Sequence, residues 1–231
     1  MQIEILDFVA GARAARGVAV VIDVFRAFSV ACYAYAGGAR RVLPMSDLEA
    51  SLALKRANPD YLAIGERNGR KVVGFDFNNS PTEISAAELN GRTLLHNTSA
   101  GTQGLTSASQ ADVVLTGSLV NAAAICRYIE SLTPERVSIV RMGWDAFERS
   151  AEDDLCAELL AARLKGAAFD IGSVRTRLRH VPAALKFFEP ANADWAPQTD
   201  FDLCTAVDRF DFVLRLCEDP CGVKYLERLD A

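Results

Sequence analysis

The chain has 231 residues, of which 50% are hydrophobic and 24% charged, and a formal net charge of −5 at pH 7. This composition supports one α/β domain or two small lobes, and the negative charge argues against a nucleic-acid-binding protein, which normally has a basic face. The amino terminus lacks the basic and apolar regions of a signal peptide, and no apolar run reaches the roughly 20 residues that span a membrane. We therefore expect a cytoplasmic protein that binds neither nucleic acid nor membrane.

Strand and helix patterns alternate over the first part of the chain. Residues 2–8 alternate like an edge strand, whereas 17–23 form a continuous apolar run, typical of a parallel strand buried on both faces. Residues 65–83 are rich in Gly, Asn, Asp and Ser, so this stretch is predicted as a loop or as a short strand between loops. The other predicted elements are a helix over 27–36 ended by Gly37-Gly38, a strand over 40–44 stopped by Pro44, a helix to Ala57 that begins with a capping box of Ser46 and Glu49, and a strand over 61–64.

The alternation continues towards the carboxyl terminus. Strands are predicted over 92–97, 111–116, 136–141 and 210–217, and a linker or loop over 191–200. Helices are predicted from the end of the loop 98–102 to 108 and over 119–129, 150–165 and 173–190. This order predicts an α/β fold with a largely parallel or mixed sheet. We expect a single domain over residues 1–231, and the break near Asn90-Gly91 leaves two related lobes as the alternative.

The six cysteines predict neither a disulfide framework nor a zinc site. A chain of this length without a secretory signal is not expected to depend on disulfides. Cys217 and Cys221 are the only close pair, and zinc would need further ligands. We expect Cys32, Cys126 and Cys156, which lie in apolar helical patterns, to be buried.

Polar and charged side chains follow the predicted strands. Because the carboxyl ends of parallel strands share one edge of a sheet, where ligands bind, these groups are expected to converge. They are Asp23 with Arg26, Glu66 with Arg67, the loop 98–102, Ser118 with Asn121, and Asp145 with the acidic group 152–154.

This set of side chains is suited to metal-assisted hydrolysis of a phosphoester on an anionic substrate. Carboxylates are hard ligands for Mg²⁺, arginine pairs with phosphate or sulfonate, and loops of small residues that enter helices present backbone N–H groups to an anion. Each group also has a structural alternative. Asp23 could cap a helix, 152–154 could complement a helix dipole, 98–102 could be a turn, and Arg26 and Arg67 could form surface ion pairs.

Several common hydrolase mechanisms are excluded. The chain has no P-loop, no Gly-x-Ser-x-Gly elbow and no cysteine with an arginine at the spacing of cysteine phosphatases. Asp23 ends an apolar strand, like the nucleophile of aspartate-based phosphatases, but Phe25 stands where those enzymes carry a second acid. Water rather than Asp23 is therefore the expected nucleophile. His96 has no second histidine nearby and is interpreted as a packed, hydrogen-bonded residue.

Six segments carry motifs in a fixed order. They are 23–29 (Asp-Val-Phe-Arg-Ala-Phe-Ser), 65–69 (Gly-Glu-Arg-Asn-Gly), 74–81 (Gly-Phe-Asp-Phe-Asn-Asn-Ser-Pro), 98–102 (Thr-Ser-Ala-Gly-Thr), 117–121 (Gly-Ser-Leu-Val-Asn) and 152–157 (Glu-Asp-Asp-Leu-Cys-Ala). In sequence and order they resemble the Mg²⁺-dependent 2-phosphosulfolactate phosphatases, and the resemblance covers most of the chain. The segment 74–81 is the most specific of the six.

The resemblance implies a three-layer α/β/α fold and hydrolysis of 2-phosphosulfolactate to sulfolactate and phosphate, a step toward coenzyme M. With the polar groups above, it leads us to expect that Asp23, Glu66 and Asp153 hold Mg²⁺. The expected catalytic residues are these three together with Arg67 and Glu152. The expected substrate-binding residues are Arg26, Asn79, Ser80, Ser99, Gly101, Thr102, Ser118 and Asn121, with shaping of the loop as the alternative for Asn79 and Ser80.

Two positions depart from the family pattern. Ala100 stands where the family has Asn, and Phe28 stands where it has Thr, so an amide and a hydroxyl are missing near the expected anion site. We expect a small anionic phosphoester as substrate. The alternatives are a non-catalytic anion-binding protein that retains the fold and a phosphatase with a changed substrate, and any change of substrate is expected to reside in Phe28 and Ala100. From its size, we also expect a homodimer.

Overall fold

The computed structural model describes residues 1–231, in which strands and helices alternate along most of the chain. The strands are β1 (Gln2–Asp7), β2 (Val18–Ile22), β3 (Arg41–Met45), β4 (Leu62–Arg67), β5 (Arg70–Lys71), β6 (Thr93–Asn97), β7 (Val113–Gly117), β8 (Arg136–Arg141), β9 (Phe212–Glu218) and β10 (Lys224–Asp230). The α-helices are α1 (Phe8–Ala14), α2 (Ala27–Ala36), α3 (Leu48–Ala57), α4 (Pro81–Ala86), α5 (Gly101–Ser107), α6 (Ala122–Leu132), α7 (Ala151–Leu164), α8 (Val174–Leu178), α9 (Pro182–Leu185) and α10 (Gln198–Cys204). Short 3₁₀ helices cover Leu119–Asn121, Ile171–Ser173 and Pro190–Asn192.

The strands form one mixed sheet in the order β1-β8-β2-β7-β9-β10-β3-β6-β4-β5. β1, β8, β2 and β7 are parallel to one another, as are β3, β6 and β4, and the β9–β10 hairpin lies between these two groups. Because the pairs β7–β9, β9–β10 and β10–β3 are all antiparallel, the two parallel groups run in opposite directions. The predicted α/β fold with a mixed sheet is confirmed. The premise that all strands share one direction is wrong, because the hairpin reverses the second group.

Helices cover both faces of the sheet, which gives three layers. All residues of β2 are buried, and they alternate between two hydrophobic cores. Ala19 and Val21 pack into the core that contains α1, α2 and α5, whereas Val18, Val20 and Ile22 pack into the core that contains α6 and α7. A strand enclosed in this way needs an apolar residue at every position, which explains the continuous apolar run in the sequence.

Helix α2 is enclosed by the first core. Nine of its ten residues are buried, and they are small or aromatic with almost no polar face, as expected of a helix surrounded by protein. The preceding residues, Asp23 to Arg26, connect β2 directly to this helix. The packing of α2 therefore fixes the segment that carries the first group of predicted site residues.

Two predicted boundaries are wrong. Helix α3 is capped by Asp47, whose carboxylate accepts a hydrogen bond from the first turn at 2.8 Å, and not by Ser46. Strand β3 continues through Pro44, where it was expected to stop. The proline is tolerated because pairing between β3 and β10 is confined to Val42.

The segment 173–204 is divided more finely than predicted. Helix α8 ends at Leu178, and α9 begins at Pro182, because the residue before a proline is disfavoured in helical conformation. The expected linker 191–200 instead contains the start of α10, directly after Pro197. Strand β10 lies outside the predicted elements, since Lys224–Asp230 mixes charged and apolar residues without a clear apolar face.

The six cysteines are free thiols, and Cys32, Cys126 and Cys156 are buried as predicted. Burial raises the pKa of Cys126 to about 12, so this thiol is unreactive near neutral pH. None of the helices combines the length and the hydropathy that crossing a lipid bilayer requires.

Candidate active site

A small cleft opens where the chain leaves β2, β4, β6 and β8. The ends of β2 and β6 meet there although these strands run in opposite directions. Neighbouring strands of a sheet are rotated by roughly 20–25°, and this twist accumulates over the five steps between β2 and β6. The cleft is lined by Asp23, Phe25, Arg26, Glu66, Gly69, Asn79, Ser99, Ala100, Gly143, Trp144, Asp145 and Lys186.

Asp23 is held by two backbone N–H groups. Its Oδ1 accepts a hydrogen bond from Ala27 N at 3.1 Å in α2, and its Oδ2 accepts one from Gly101 N at 3.0 Å in α5. Burial raises the pKa of Asp23 to about 6, and the charge of Glu66 contributes to this rise. Asp23 therefore accepts the N–H groups of the first residues of α2 and α5 without being the N-cap residue of either helix, and it also lines the cleft.

Glu66, near the end of β4, is held in a similar way. Its Oε2 accepts a hydrogen bond from Gly69 N and its Oε1 accepts one from Ser99 N, both at 2.8 Å. The backbone N–H groups of Ser99 and Gly101, expected to face a phosphate, are thus already bonded to carboxylates of the protein. The loop 98–102 positions acids at the cleft.

The two acids at the start of α7 differ in their bonding. Asp153 accepts hydrogen bonds from Val24 N at 2.9 Å and from Gly143 N at 2.8 Å, so it connects α7 to the segments after β2 and β8. Glu152 is also buried, but its Oε2 has no hydrogen-bond partner. Burial raises the pKa of Glu152 to about 7 and that of Asp153 well above its usual range, and the negative charge of Asp23 adds to both shifts.

Arg26 forms a buried salt bridge. Its guanidinium donates to Asp200 Oδ2 at 2.7 Å and to the carbonyl oxygens of Trp195 and Gly69, each at 2.8 Å. The two charged side chains are only 2% and 0% exposed, so the expected alternative of a surface ion pair is wrong for Arg26. Asp200 fixes the orientation of this arginine at the cleft.

The most specific motif of the sequence forms one wall. Asn79 lines the cleft, and its Oδ1 lies 3.1 Å from Nε2 of His96. Burial lowers the pKa of His96 to about 4, so this histidine is a neutral, packed hydrogen-bond partner, as predicted. Ser80 caps helix α4, which the sequence did not predict, and donates to Asp200 at 2.7 Å. Asn79 thus faces the cleft, whereas Ser80 shapes the loop.

Besides Glu152, Asp153, Gly101 and Ser80, four other predicted site residues lie outside the cleft lining. Their side chains bond to neighbouring protein groups, so in this structure they support the walls of the cleft, and their roles in binding or catalysis stay predictions. They are Arg67, bonded to Asn97; Thr102, bonded to Thr98; Ser118, bonded to Ser29; and Asn121, bonded to Phe212.

Two charged residues of this region were not predicted from the sequence. Lys186 lines the cleft, and its Nζ lies 5.1 Å from the ring centroids of both Trp144 and Phe187. No motif marks Lys186, which lies in the predicted helix 173–190. Asp200 lies in the expected linker, although Pro197 followed by an acid in the next turn is a signal for a helix start.

Only one of the two departures from the family pattern reaches the cleft. Ala100 lines it, whereas Phe28 is 0% exposed and packs into the core around α2. The expectation that Phe28 removes a hydroxyl from the anion site is wrong, because α2 turns this position towards the core. Of the two, Ala100 is the position that can change contacts with a ligand.

Known proteins share this sequence pattern over most of the chain. Residues 6–219 match the family model described as 2-phosphosulpholactate phosphatase. The chain is 42% identical over 154 residues to a protein of Gloeobacter violaceus, a match that covers 66% of this chain and 65% of the relative. It is 31% identical over 210 residues to a protein of Caldanaerobacter subterraneus subsp. tengcongensis, covering 85% and 86%, and 29% identical over 204 residues to one of Bacillus subtilis, covering 87% of each.

All three relatives are named probable 2-phosphosulfolactate phosphatase. The chain spans slightly less than two thirds of the length of the Gloeobacter relative and most of the other two. The family match includes the segments that contribute Asp23, Glu66, Ala100 and Lys186 to the cleft. The chain therefore belongs to the 2-phosphosulpholactate phosphatase family.

Proposed function

We propose that this protein is a Mg²⁺-dependent phosphatase that hydrolyses a small anionic phosphomonoester, with 2-phosphosulfolactate as the first candidate substrate. Family membership supports this activity. The observation that carries the proposal is the acidic character of the cleft, where Asp23 and Glu66 lie on the wall and Glu152 and Asp153 are buried nearby. Such a concentration of carboxylates is suited to a divalent cation and, through it, to a phosphoester.

The residues fit Mg²⁺ through a small number of ligands. No three His, Cys, Asp or Glu side chains converge on one point, but Mg²⁺ in enzymes is commonly held by one or two carboxylates, with water and substrate oxygens completing its shell. Glu152 has a buried oxygen without a partner, and Asp23 is close enough to raise its pKa. We therefore favour Asp23 and Glu152 as ligands. Asp153 is assigned to positioning them, because, unlike Asp23, it does not line the cleft and, unlike Glu152, it has no oxygen without a partner.

When bound, Mg²⁺ would neutralise negative charge on the phosphoryl oxygens. Water attacks phosphorus, and the bond between phosphorus and the ester oxygen breaks. Glu66 is our candidate to accept the proton of the attacking water, because it lines the cleft and two backbone N–H groups hold it in place. The leaving oxygen takes a proton from solvent, so the products are the hydroxy acid and inorganic phosphate.

The test is release of phosphate by the purified protein with and without Mg²⁺, followed by the same assay of Asp23→Asn and Glu66→Gln. We expect Mg²⁺-dependent turnover of 2-phosphosulfolactate and losses of about 100-fold or more in kcat/KM for each variant, since positioned acid–base groups contribute about 10²–10⁴-fold. Rates near those of the wild type in both variants would contradict the assigned roles.

Ala100 favours a second candidate, a phosphatase with a changed substrate, because this position lines the cleft without the amide of the family pattern. A panel of phosphoesters that carry carboxylate, sulfonate or neutral substituents separates the two candidates. Binding of sulfolactate without turnover of any ester would instead favour a non-catalytic anion-binding protein. We also expect a homodimer, which light scattering tests.

A further inference from the structure

Three cationic side chains lie near the site, and two of them, Arg26 and Arg67, already donate hydrogen bonds to other groups of the protein. Arg26 donates to the carboxylate of Asp200 and to two carbonyl oxygens. Arg67 lies outside the cleft lining and donates to Asn97 Oδ1 at 2.5 Å and to the carbonyl oxygen of Glu66 at 2.6 Å. A substrate anion that approached either arginine would have to share donors that are already occupied.

Lys186 is different, because its ammonium group takes no part in the hydrogen bonds or salt bridges of the protein and lines the cleft. It lies 5.1 Å from the ring centroids of Trp144 and Phe187. Aromatic faces attract a cation but accept no conventional hydrogen bond, so the N–H donors of the ammonium remain available. The two rings also restrict the side chain, which lowers the entropy lost when a ligand binds.

Lys186 also stands where two cavities join. Together with Trp144, it lines both the acidic cleft and an adjoining cavity bounded by Val181, Pro182 and Trp195. A ligand that extends from the acids towards this second cavity passes the ammonium group. Burial and the charge of Arg26 lower the pKa of Lys186 from its usual value, and the negative charges of Glu152, Glu66 and Asp23 oppose this shift.

We propose that Nζ of Lys186 binds an anionic oxygen of the substrate directly and that this lysine selects anionic ligands. This inference rests on the proposed function, because it names the residue of the same cleft that contacts the substrate. The anionic oxygen belongs either to the phosphate or to a second acidic group on the substrate, and the two sources are distinguished by paired substrates.

The test compares Lys186→Met with wild type on 2-phospholactate and on isopropyl phosphate, which has a methyl group in place of the carboxylate. A charged hydrogen bond is worth about 1.5–3 kcal/mol, so we expect KM to rise about 10- to 150-fold. A rise for 2-phospholactate alone identifies the carboxylate as the partner, and a rise for both esters identifies the phosphate. Lys186→Arg, which keeps the charge, is expected to recover most of the binding.

Lys165→Met is the matched control, because Lys165 is exposed at the end of α7. Changes in KM within twofold of this control would overturn the proposal. Calorimetric titration of sulfolactate and of inorganic phosphate measures the same contact without turnover, so a protein that binds these anions through Lys186 but hydrolyses nothing would refute the proposed phosphatase and keep the contact.

If Lys186→Met does not fold, the wild-type protein still provides a test. The NMR signal of its Lys186 ammonium nitrogen is expected to shift on addition of sulfolactate or of phosphate. No shift at concentrations that saturate the cleft would overturn the proposal.

Discussion

Gly101 shows how closely the backbone approaches the acid at the centre of the cleft. A Cβ atom at this position would lie 2.7 Å from Asp23 Oδ2 and 3.1 Å from the Cβ of Ala27. Gly101→Ala should therefore displace the carboxylate, lower kcat/KM at least about tenfold and destabilise the fold by about 1–3 kcal/mol. Gly172→Ala is the control, because Gly172 is exposed and its added Cβ would meet only Asp170 Oδ1 at 3.3 Å. Steady-state kinetics and urea unfolding measure both effects, and unchanged kinetics for Gly101→Ala would show that Asp23 is not required at its present position.

The two departures from the family pattern are predicted to have different consequences. Ala100→Asn adds an amide to the cleft lining and should change the relative kcat/KM for sulfonate and carboxylate substrates, with little change in melting temperature. Phe28→Thr removes a ring from a fully buried position and should cost about 3–5 kcal/mol of stability. Kinetics over the phosphoester panel test the prediction for Ala100→Asn, and thermal unfolding tests the prediction for Phe28→Thr. A change of substrate preference in Phe28→Thr alone would contradict the placement of this residue in the core.

At the scale of elements, α10 is connected to the site by a buried carboxylate. Asp200 accepts hydrogen bonds from Arg26, from Ser80 in the cap of α4 and from Thr82 in its first turn. This helix therefore connects the segment after β2 to the motif 74–81. The contribution of Asp200 to stability depends on its burial, because the charge of Arg26 would be costly in the protein interior without this partner.

Asp200→Asn leaves the guanidinium of Arg26 buried beside a neutral side chain. We expect a loss of about 3–5 kcal/mol in the free energy of unfolding, measured with urea. Asp202→Asn in the same helix is the matched control, because Asp202 pairs with an exposed arginine and should cost at most about 1 kcal/mol. Equal losses for the two variants would indicate that the buried pair makes no special contribution.

Elements with a strong local pattern could be predicted from the sequence, and those that depend on tertiary contacts could not. The run 17–23 and the helix 27–36 are apolar throughout, so their types and approximate ends follow from composition. Strand β10 has charged residues on both sides of Leu226, and only its pairing with β9 makes it a strand. The residues of the site also differ in whether a local sequence pattern or only tertiary packing places them there. Motifs identified Asp23 and Glu66, whereas Lys186 reaches the cleft through packing that no local pattern encodes.

At the scale of the whole molecule, the buried acids make stability depend on pH. The folded-state pKa of Glu152 is raised to about 7, so its protonated form contributes stability that is lost as pH rises through 7. The pKa of Asp23 is raised to about 6, so its protonated form also contributes stability, which is lost as pH rises through 6. Burial lowers the pKa of His96 to about 4, so the contribution of His96 to stability increases as pH rises from about 4 to 6.5. Above pH 6.5 the contribution of His96 is complete, so the change in stability between pH 6.5 and 8 reports the buried acids, with Glu152 among them.

Without divalent cations, the melting temperature should fall between pH 6.5 and 8, and Glu152→Gln should reduce this fall. Mg²⁺ binds carboxylates in their ionised form, so it should raise the melting temperature more at pH 8 than at pH 6.5. Differential scanning calorimetry checks both statements. An equal Mg²⁺ effect at the two pH values would contradict a site that includes Glu152. A single calorimetric transition is also expected if residues 1–231 form one domain.

The carboxylates at the cleft have a consequence for how the proposed activity would be acquired as the protein folds. Asp23 and Gly101 are 78 positions apart in the chain, and Asp153 and Val24 are 129 apart. Contacts between distant parts of a chain close only after much loop entropy has been lost, so they form slowly. Helical signal should therefore return early in a refolding experiment, and enzymatic turnover should return only when both halves of the sheet have joined. Recovered turnover would then report complete folding more strictly than any spectroscopic signal of secondary structure.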